Sequence, residues 1–285
     1  MRARKRFGQH FLTDASVLAR TLECIGPRPT DRLLEIGPGR GALTEYLHGA
    51  TERLVAIEID RDLAPMLRAR FPKLELIVAD VLQFDFDELG EPSAGEREGA
   101  PLARKEPSAG EREGAPLAGK PDAPWRIAGN LPYNISTPLL VRLLASKLPI
   151  EDMHFMLQKE LAERIDGQPG TKAWGRLSVL VQFRCAVERL FDVEPSSFVP
   201  PPQVRSSLVR LTPRAETLPL LHPARLDAVL RTAFSARRKR LDNALKALPV
   251  DWDRSEVDRS ARPDQLSVAD YVRIANAVSA ATPLI

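Results

Sequence analysis

Asn130-Leu131-Pro132-Tyr133 is a tetrapeptide whose residue types could hold a planar aromatic amine. The exocyclic amine of adenine is a poor nucleophile, because its lone pair is delocalised into the ring. Two acceptors placed at its hydrogens favour a pyramidal nitrogen and aim the lone pair at an electrophile. The Asn130 side-chain oxygen and the Leu131 backbone carbonyl can be those acceptors. Pro132 restricts Leu131 to extended backbone and so fixes its carbonyl. Tyr133 offers a ring on which a base turned out of its stack can rest. Catalysis by such a set is mostly positioning, with no general base needed before transfer. Taken alone, the same four residues also make an ordinary turn, with the tyrosine filling the core. Their place in the chain decides between the two.

Upstream, Leu33-Leu34-Glu35-Ile36-Gly37-Pro38-Gly39-Arg40-Gly41-Ala42 reads as strand, glycine loop and helix. Glycines permit positive φ and a close approach of backbone to a ligand. Glu58 stands at the end of the next strand, where a carboxylate can accept two hydrogen bonds from ribose hydroxyls. The Gly37, Gly39 and Ala42 spacing serves a nicotinamide dinucleotide as well as S-adenosylmethionine. Asp80, at the end of a third strand, tilts the reading toward S-adenosylmethionine. That cofactor has no pyrophosphate, and a carboxylate there can accept from its adenine amine. A plainer role for Asp80 is the N-cap of the following turn.

The elements that must position these residues follow from apolar spacing. Strands are predicted at 32–36, 54–59, 74–78, 125–128 and 152–157, and helices at 13–25, 42–48, 62–70, 137–146 and 159–165. This alternation implies an α/β fold with a doubly wound, mainly parallel sheet. Val199-Pro200-Pro201-Pro202 reads as a rigid extended link, followed by a strand at 205–211. Beyond Pro213, a main helix at 226–248 and a last one at 267–278 predict a small helical domain at 214–285 after a larger one at 1–213. One stretch breaks the rhythm. Residues 91–105 and 106–120 are tandem blocks that differ only at Arg104 and Gly119. They are rich in Gly, Pro, Ala and charge and have almost nothing to bury, so they predict a disordered insertion.

Composition narrows the class. The chain has 285 residues, 44% hydrophobic and 28% charged, which suits an ordinary folded core. It contains no apolar run long enough to cross a membrane, and its basic N-terminus lacks the apolar stretch of a secretory signal. The two cysteines, Cys24 and Cys185, read as reduced thiols of a cytoplasmic protein. The four histidines form no ligand pattern, which argues against a metal. Net charge is only +3, but basic residues cluster at Arg2 to Arg6 and at Arg237-Arg238-Lys239-Arg240. Either cluster alone is as readily a solvated face as a nucleic-acid contact.

These segments together resemble the KsgA family of small-subunit ribosomal RNA adenine dimethyltransferases. The resemblance is carried by Arg4-Lys5-Arg6-Phe7-Gly8-Gln9-His10-Phe11-Leu12, the glycine loop, Ala56-Ile57-Glu58-Ile59-Asp60 and Gly129-Asn130-Leu131-Pro132-Tyr133-Asn134-Ile135-Ser136. Met156-Leu157-Gln158-Lys159-Glu160, Gly175-Arg176-Leu177-Ser178-Val179, the Phe198-to-Ser206 segment and Phe234-Ser235 with Arg237-Arg238-Lys239 complete it. It covers nearly the whole chain except the tandem blocks. It implies a Rossmann-like class I methyltransferase that dimethylates two adjacent adenines in a hairpin near the 3′ end of 16S rRNA, late in small-subunit assembly. It implies that His10, Leu12, Gly37, Gly39, Glu58, Asp80 and Asn130 serve S-adenosylmethionine. Asn130, Leu131, Pro132 and Tyr133 would hold the target base, with Phe198 stacking from the other side unless it is a core aromatic. A helix carrying Arg237, Arg238, Lys239 and Arg240 would face RNA phosphate. The implied protein is a monomer whose partner is 16S rRNA in the immature small subunit, with no membrane. Three other readings remain: an amino methyltransferase for DNA adenine or protein glutamine, a non-catalytic assembly factor, and a nicotinamide oxidoreductase.

Overall fold

The structure is a computed structural model that describes residues 9–89, 123–215 and 218–279. The tandem blocks and the Arg2-to-Arg6 cluster lie outside these residues. In chain order the elements are β1 (Phe11–Leu12), α1 (Ala15–Ile25), β2 (Arg32–Ile36), α2 (Thr44–Ala50), β3 (Arg53–Glu58), α3 (Ala64–Arg70) and β4 (Glu75–Val78). Then follow β5 (Trp125–Asn130), α4 (Tyr133–Ala145), β6 (Ile150–Gln158), α5 (Lys159–Ile165), α6 (Arg176–Arg184), β7 (Cys185–Val193), β8 (Phe198–Val199) and β9 (Ser206–Pro213). The last helices are α7 (Pro223–Ser235), α8 (Leu241–Ala244), α9 (Trp252–Ser255) and α10 (Val268–Ala277).

The main sheet runs β4-β3-β2-β5-β6-β9-β7. From β4 through β6 every pairing is parallel, and β9 joins β6 antiparallel. The chain thus winds outward from β2 to β4 on one side and from β5 onward on the other. Crevices for ligands form at the carboxyl ends of the strands where that direction switches, here between β2 and β5. β2 is covered on both faces, and all five of its residues are buried, Arg32 and Glu35 included. A separate two-stranded ribbon pairs Phe11 with Val199 and Leu12 with Phe198. α1 is stopped at both ends by local chemistry. The Asp14 carboxylate accepts from the Ser16 and Val17 amides, and Gly26 closes the helix in the left-handed region.

The chain divides into two compact units: residues 1–159 with 189–212, and 160–188 with 213–285. One division falls between 212 and 213, near the expected boundary, and residues 160–188 fall with the tail and not with the sheet. The reason is packing: Trp174, Val179 and Phe183 share one apolar core with Leu226, Leu230 and Tyr271. The expected helix over 226–248 is also broken, ending at Ser235 and resuming only at Leu241. Between them the Leu241 and Asp242 amides donate to the Ala261 and Arg259 carbonyls, which draws the backbone off the helical path. β7 has no counterpart among the predicted strands; its charged, mostly part-exposed residues hide the alternation.

Two buried charged groups in the first unit carry testable energetics. Arg126 on β5 donates to Asp31 and Asp152, each at 2.7 Å, and to the carbonyls of Ile25 and Gly26. Burial works against the Asp31 carboxylate, but hydrogen bonds from Arg126 and Arg28 outweigh it and hold its pKa low. Arg126→Met strips the buried Asp152 of its guanidinium and should cost about 3–5 kcal/mol in urea unfolding. Glu35 on β2 is 2% exposed, and burial pushes its carboxyl up to about 7 from 4.5. A carboxyl with a higher pKa folded than unfolded loses stability as pH rises through that window. Glu35→Gln should therefore match the parent at pH 4 and exceed it by about 3 kcal/mol at pH 8 in the same assay.

Candidate active site

The tips of β2 and β5 are held together by what Gly129 lacks. A Cβ on Gly129 would lie 2.5 Å from the Ile36 carbonyl oxygen. Without one, Asn130 comes alongside the loop that begins at Gly37. In that loop Gly37, Gly39 and Gly41 all have φ between 58° and 79°, a region open chiefly to glycine. The Gly37 amide donates to Ile57 at 2.9 Å and the Gly41 amide to Pro38 at 2.8 Å, so the loop curls over the tip of β3.

A cavity of about 370 Å³ opens at this switch point. All seven residues expected to hold the cofactor line it, as does the whole Asn130-to-Tyr133 tetrapeptide. Glu58 is 3% exposed there; one carboxylate oxygen accepts from the Gly39 amide at 3.0 Å and the other from the Asp60 amide at 2.9 Å. Burial raises its pKa, and those two amides pull it back. Asp80 serves as the cap weighed for it and stands at the cavity. One oxygen caps the following turn through the Leu82 amide at 2.9 Å, and the residue also lines the cavity.

The tetrapeptide lies along the cavity wall. The Asn130 Nδ2 group donates to the His10 carbonyl at 2.8 Å, which turns its Oδ1 the other way. Pro132 has φ −55° and ψ 132°, and α4 begins directly after it. The first donors of that turn, the Ile135 amide and the Ser136 hydroxyl, both go to the Pro132 carbonyl. Among the described residues no donor takes the Leu131 carbonyl, which leaves it free for a ligand. The Tyr133 hydroxyl pairs with Ser206 at 2.8 Å, and burial raises its pKa, so the ring stays a neutral phenol.

The residues present fit S-adenosylmethionine better than a dinucleotide. The Gly39 amide, which would face a pyrophosphate, already serves Glu58. Buried acids Glu35 and Glu58 lie along the same cavity as Asp80, which suits a ligand bearing a sulfonium and an ammonium and opposes a diphosphate. Glu35 was not singled out from the sequence. The signal was a charged residue inside the apolar run Leu33-Leu34-Glu35-Ile36. Ile59, 42% exposed on the cavity wall, offers an apolar flank for an adenine ring and also escaped notice. So did His154, which lines the cavity and is kept neutral because burial drives its pKa down to about 4.

Two expectations are corrected. Phe198 does not line the cavity. It is 2% exposed and packs with Leu12, Leu18, Met156 and Leu208, because its ribbon pairing with Leu12 turns the ring into the core. It packs behind Leu12, Met156 and Leu208, which form part of the cavity wall. The Arg237-to-Arg240 cluster is not on a helix but in the turn after α7. Arg237 is spent inside its own unit, donating to the Thr171 and Lys172 carbonyls at 2.8 and 3.1 Å. Arg238, Lys239 and Arg240 are exposed, and Arg240 pairs with Asp242 at 3.0 Å.

Residues 1–280 match the family model described as ribosomal RNA adenine dimethylase. The ribosomal RNA small subunit methyltransferase A of Pseudomonas aeruginosa is 49% identical over 284 residues, covering 96% of this chain and 94% of its own. That of Coxiella burnetii is 43% identical, covering 97% and 98%. Among solved structures, a dimethyladenosine transferase from Plasmodium falciparum shares the fold with a TM-score of 0.70 at 22% identity, over 93% of this chain and 96% of that one. The 23S rRNA methyltransferase ErmE does so with a TM-score of 0.65 at 24% identity, over 94% and 99%. The chain belongs to the ribosomal RNA adenine dimethylase family, methyltransferases that depend on S-adenosylmethionine.

Proposed function

We propose that the protein methylates N6 of two adjacent adenines in a hairpin near the 3′ end of 16S rRNA, within the immature small subunit. It acts as a cytoplasmic monomer. The observation that carries this reading is the pair of acceptors at the cavity: the Asn130 Oδ1, turned away from His10, and the Leu131 carbonyl, which no described donor takes. An amine whose two hydrogens meet these oxygens is held with its lone pair directed along the cleft. Bound S-adenosylmethionine supplies an electrophilic methyl group there. Gly37, Gly39, Glu58 and Asp80 fix that ligand from one side, with Leu12 and the backbone of His10 closing the other. Tyr133 carries the base, and its neutral phenol adds no charge beside it. After transfer the nitrogen becomes acidic and can release its proton to water, so no base is required. The work of the protein is orientation and exclusion of solvent.

RNA is held outside the cavity by charge. Arg238, Lys239 and Arg240 are the exposed members of the basic turn and are proposed to meet phosphate. Arg237 is left out of that set because it is only half-exposed and its guanidinium is spent on backbone carbonyls. Among the described residues no helix is long and apolar enough to cross a membrane, and no group of side chains could hold a metal ion.

The test is transfer of labelled methyl groups to undermethylated small subunits, naked DNA and a protein glutamine substrate. Transfer to the subunit alone, with both adenines becoming dimethylated by mass spectrometry, is expected. Asn130→Ala should lower kcat by about a hundredfold or more while subunit binding holds. Unchanged transfer would remove the proposed role of the acceptor pair. Arg238→Ala and Lys239→Ala should each reduce the salt dependence of subunit binding by about one unit of slope, read from log Kd against log salt.

A further inference from the structure

An asparagine amide presents an acceptor or a donor according to which way it is turned. Methyl transfer needs the acceptor of Asn130 to face the amine. The reversed amide would bring N–H groups against N–H groups. Something must therefore choose between two orientations of nearly identical shape.

The choice is made by one backbone oxygen. The Asn130 Nδ2 group lies 2.8 Å from the His10 carbonyl. A carbonyl only accepts, so reversing the amide would bring two oxygens to that distance. The His10 carbonyl is held in turn by its own side chain. Ring Nδ1 lies 2.8 Å from the Pro200 carbonyl, which also only accepts, so Nδ1 carries the hydrogen and donates it. The ring lies against Tyr133, with centroids 5.6 Å apart and planes inclined at 27°. On either side the chain is pinned: Gln9 donates to Asp60 at 3.3 Å, and Phe11 and Leu12 pair with Val199 and Phe198.

We propose that His10 is a positioning residue for methyl transfer. Its carbonyl locks the Asn130 amide with the oxygen toward the substrate, and its ring, tied to Pro200, keeps that carbonyl in place. This goes beyond a role in closing the cofactor site, and it rests on the adenine-methylation reading above. It assigns the ribbon of β1 and β8 a task in the chemistry: to carry the orienting carbonyl to the tip of β5.

The variants His10→Ala, His10→Asn and His10→Phe separate the parts of this arrangement in the full-length chain. Asparagine places its Nδ2 where histidine has Nδ1 and keeps the tether to Pro200. Phenylalanine keeps a ring but has no donor. Steady-state transfer to undermethylated small subunits should show kcat lowered about tenfold in the alanine and phenylalanine variants, and within about threefold of the parent in the asparagine variant. KM for the subunit, and the affinity for S-adenosylhomocysteine by calorimetry, should move less than about twofold in all. In protein labelled with ¹⁵N-asparagine, one Asn130 side-chain amide proton should be protected from exchange in the parent and the asparagine variant and lose protection in the other two. Full kcat in the alanine variant would overturn the proposal. So would an affinity for S-adenosylhomocysteine lowered about tenfold with kcat kept at saturation, since the His10 side chain would then serve the cofactor and not the amide. Equal loss of kcat in all three variants would overturn it as well. A parent that transfers no methyl to subunits would sink the methylation reading alone; the exchange measurement would still decide whether His10 holds the amide.

Discussion

Gly129 is the position on which the site turns. Its missing Cβ lets β5 run past the tip of β2, with the Ile36 carbonyl 2.5 Å from where that carbon would stand. One residue further along each strand are Asn130 and Gly37. The group proposed to grip the substrate amine and the loop proposed to receive the cofactor are thus neighbours by way of one atom that is absent. The switch in winding direction between β2 and β5 opens a crevice in any fold of this kind. The close approach at Gly129 brings Asn130 and the glycine loop onto the wall of one cavity.

The charge of the cavity gives the geometry its selectivity. Glu35 and Glu58 sit in it almost without solvent, and burial raises both pKa values. Such placement is costly for an empty cleft and favourable beside a positively charged ligand. The neighbouring groups are kept neutral. His154 is held unprotonated by burial, and Tyr133 remains a phenol. The acids therefore act without competition from fixed positive charge on these two side chains.

The ribbon of β1 and β8 has an effect out of proportion to its two residue pairs. It presents Leu12 to the cavity and backs it with Phe198, Met156 and Leu208. It also carries His10 to the side of Asn130 and Tyr133. Phe198 works through this packing: a ring sealed in the core stiffens the wall against which the ligand rests.

Much of this was legible in the sequence because its causes are local. Glycines that need positive φ, a proline that fixes the residue before it, and acids at strand ends announce themselves by type and spacing, and so do buried parallel strands. Glu58, Asp80 and the Asn130 tetrapeptide, singled out on such grounds, all line the cavity. What could not be read depends on partners far along the chain. Whether Phe198 faces a ligand or the core follows from its pairing with Leu12. Whether residues 160–188 join the sheet or the tail follows from where Trp174 and Phe183 find apolar neighbours. Arg237 looks like a phosphate ligand until the Thr171 and Lys172 carbonyls come within reach. The orientation of the Asn130 amide is the sharpest case. Both orientations share one residue type, one position and almost one shape, and the His10 carbonyl, brought up from far along the chain, makes them unequal.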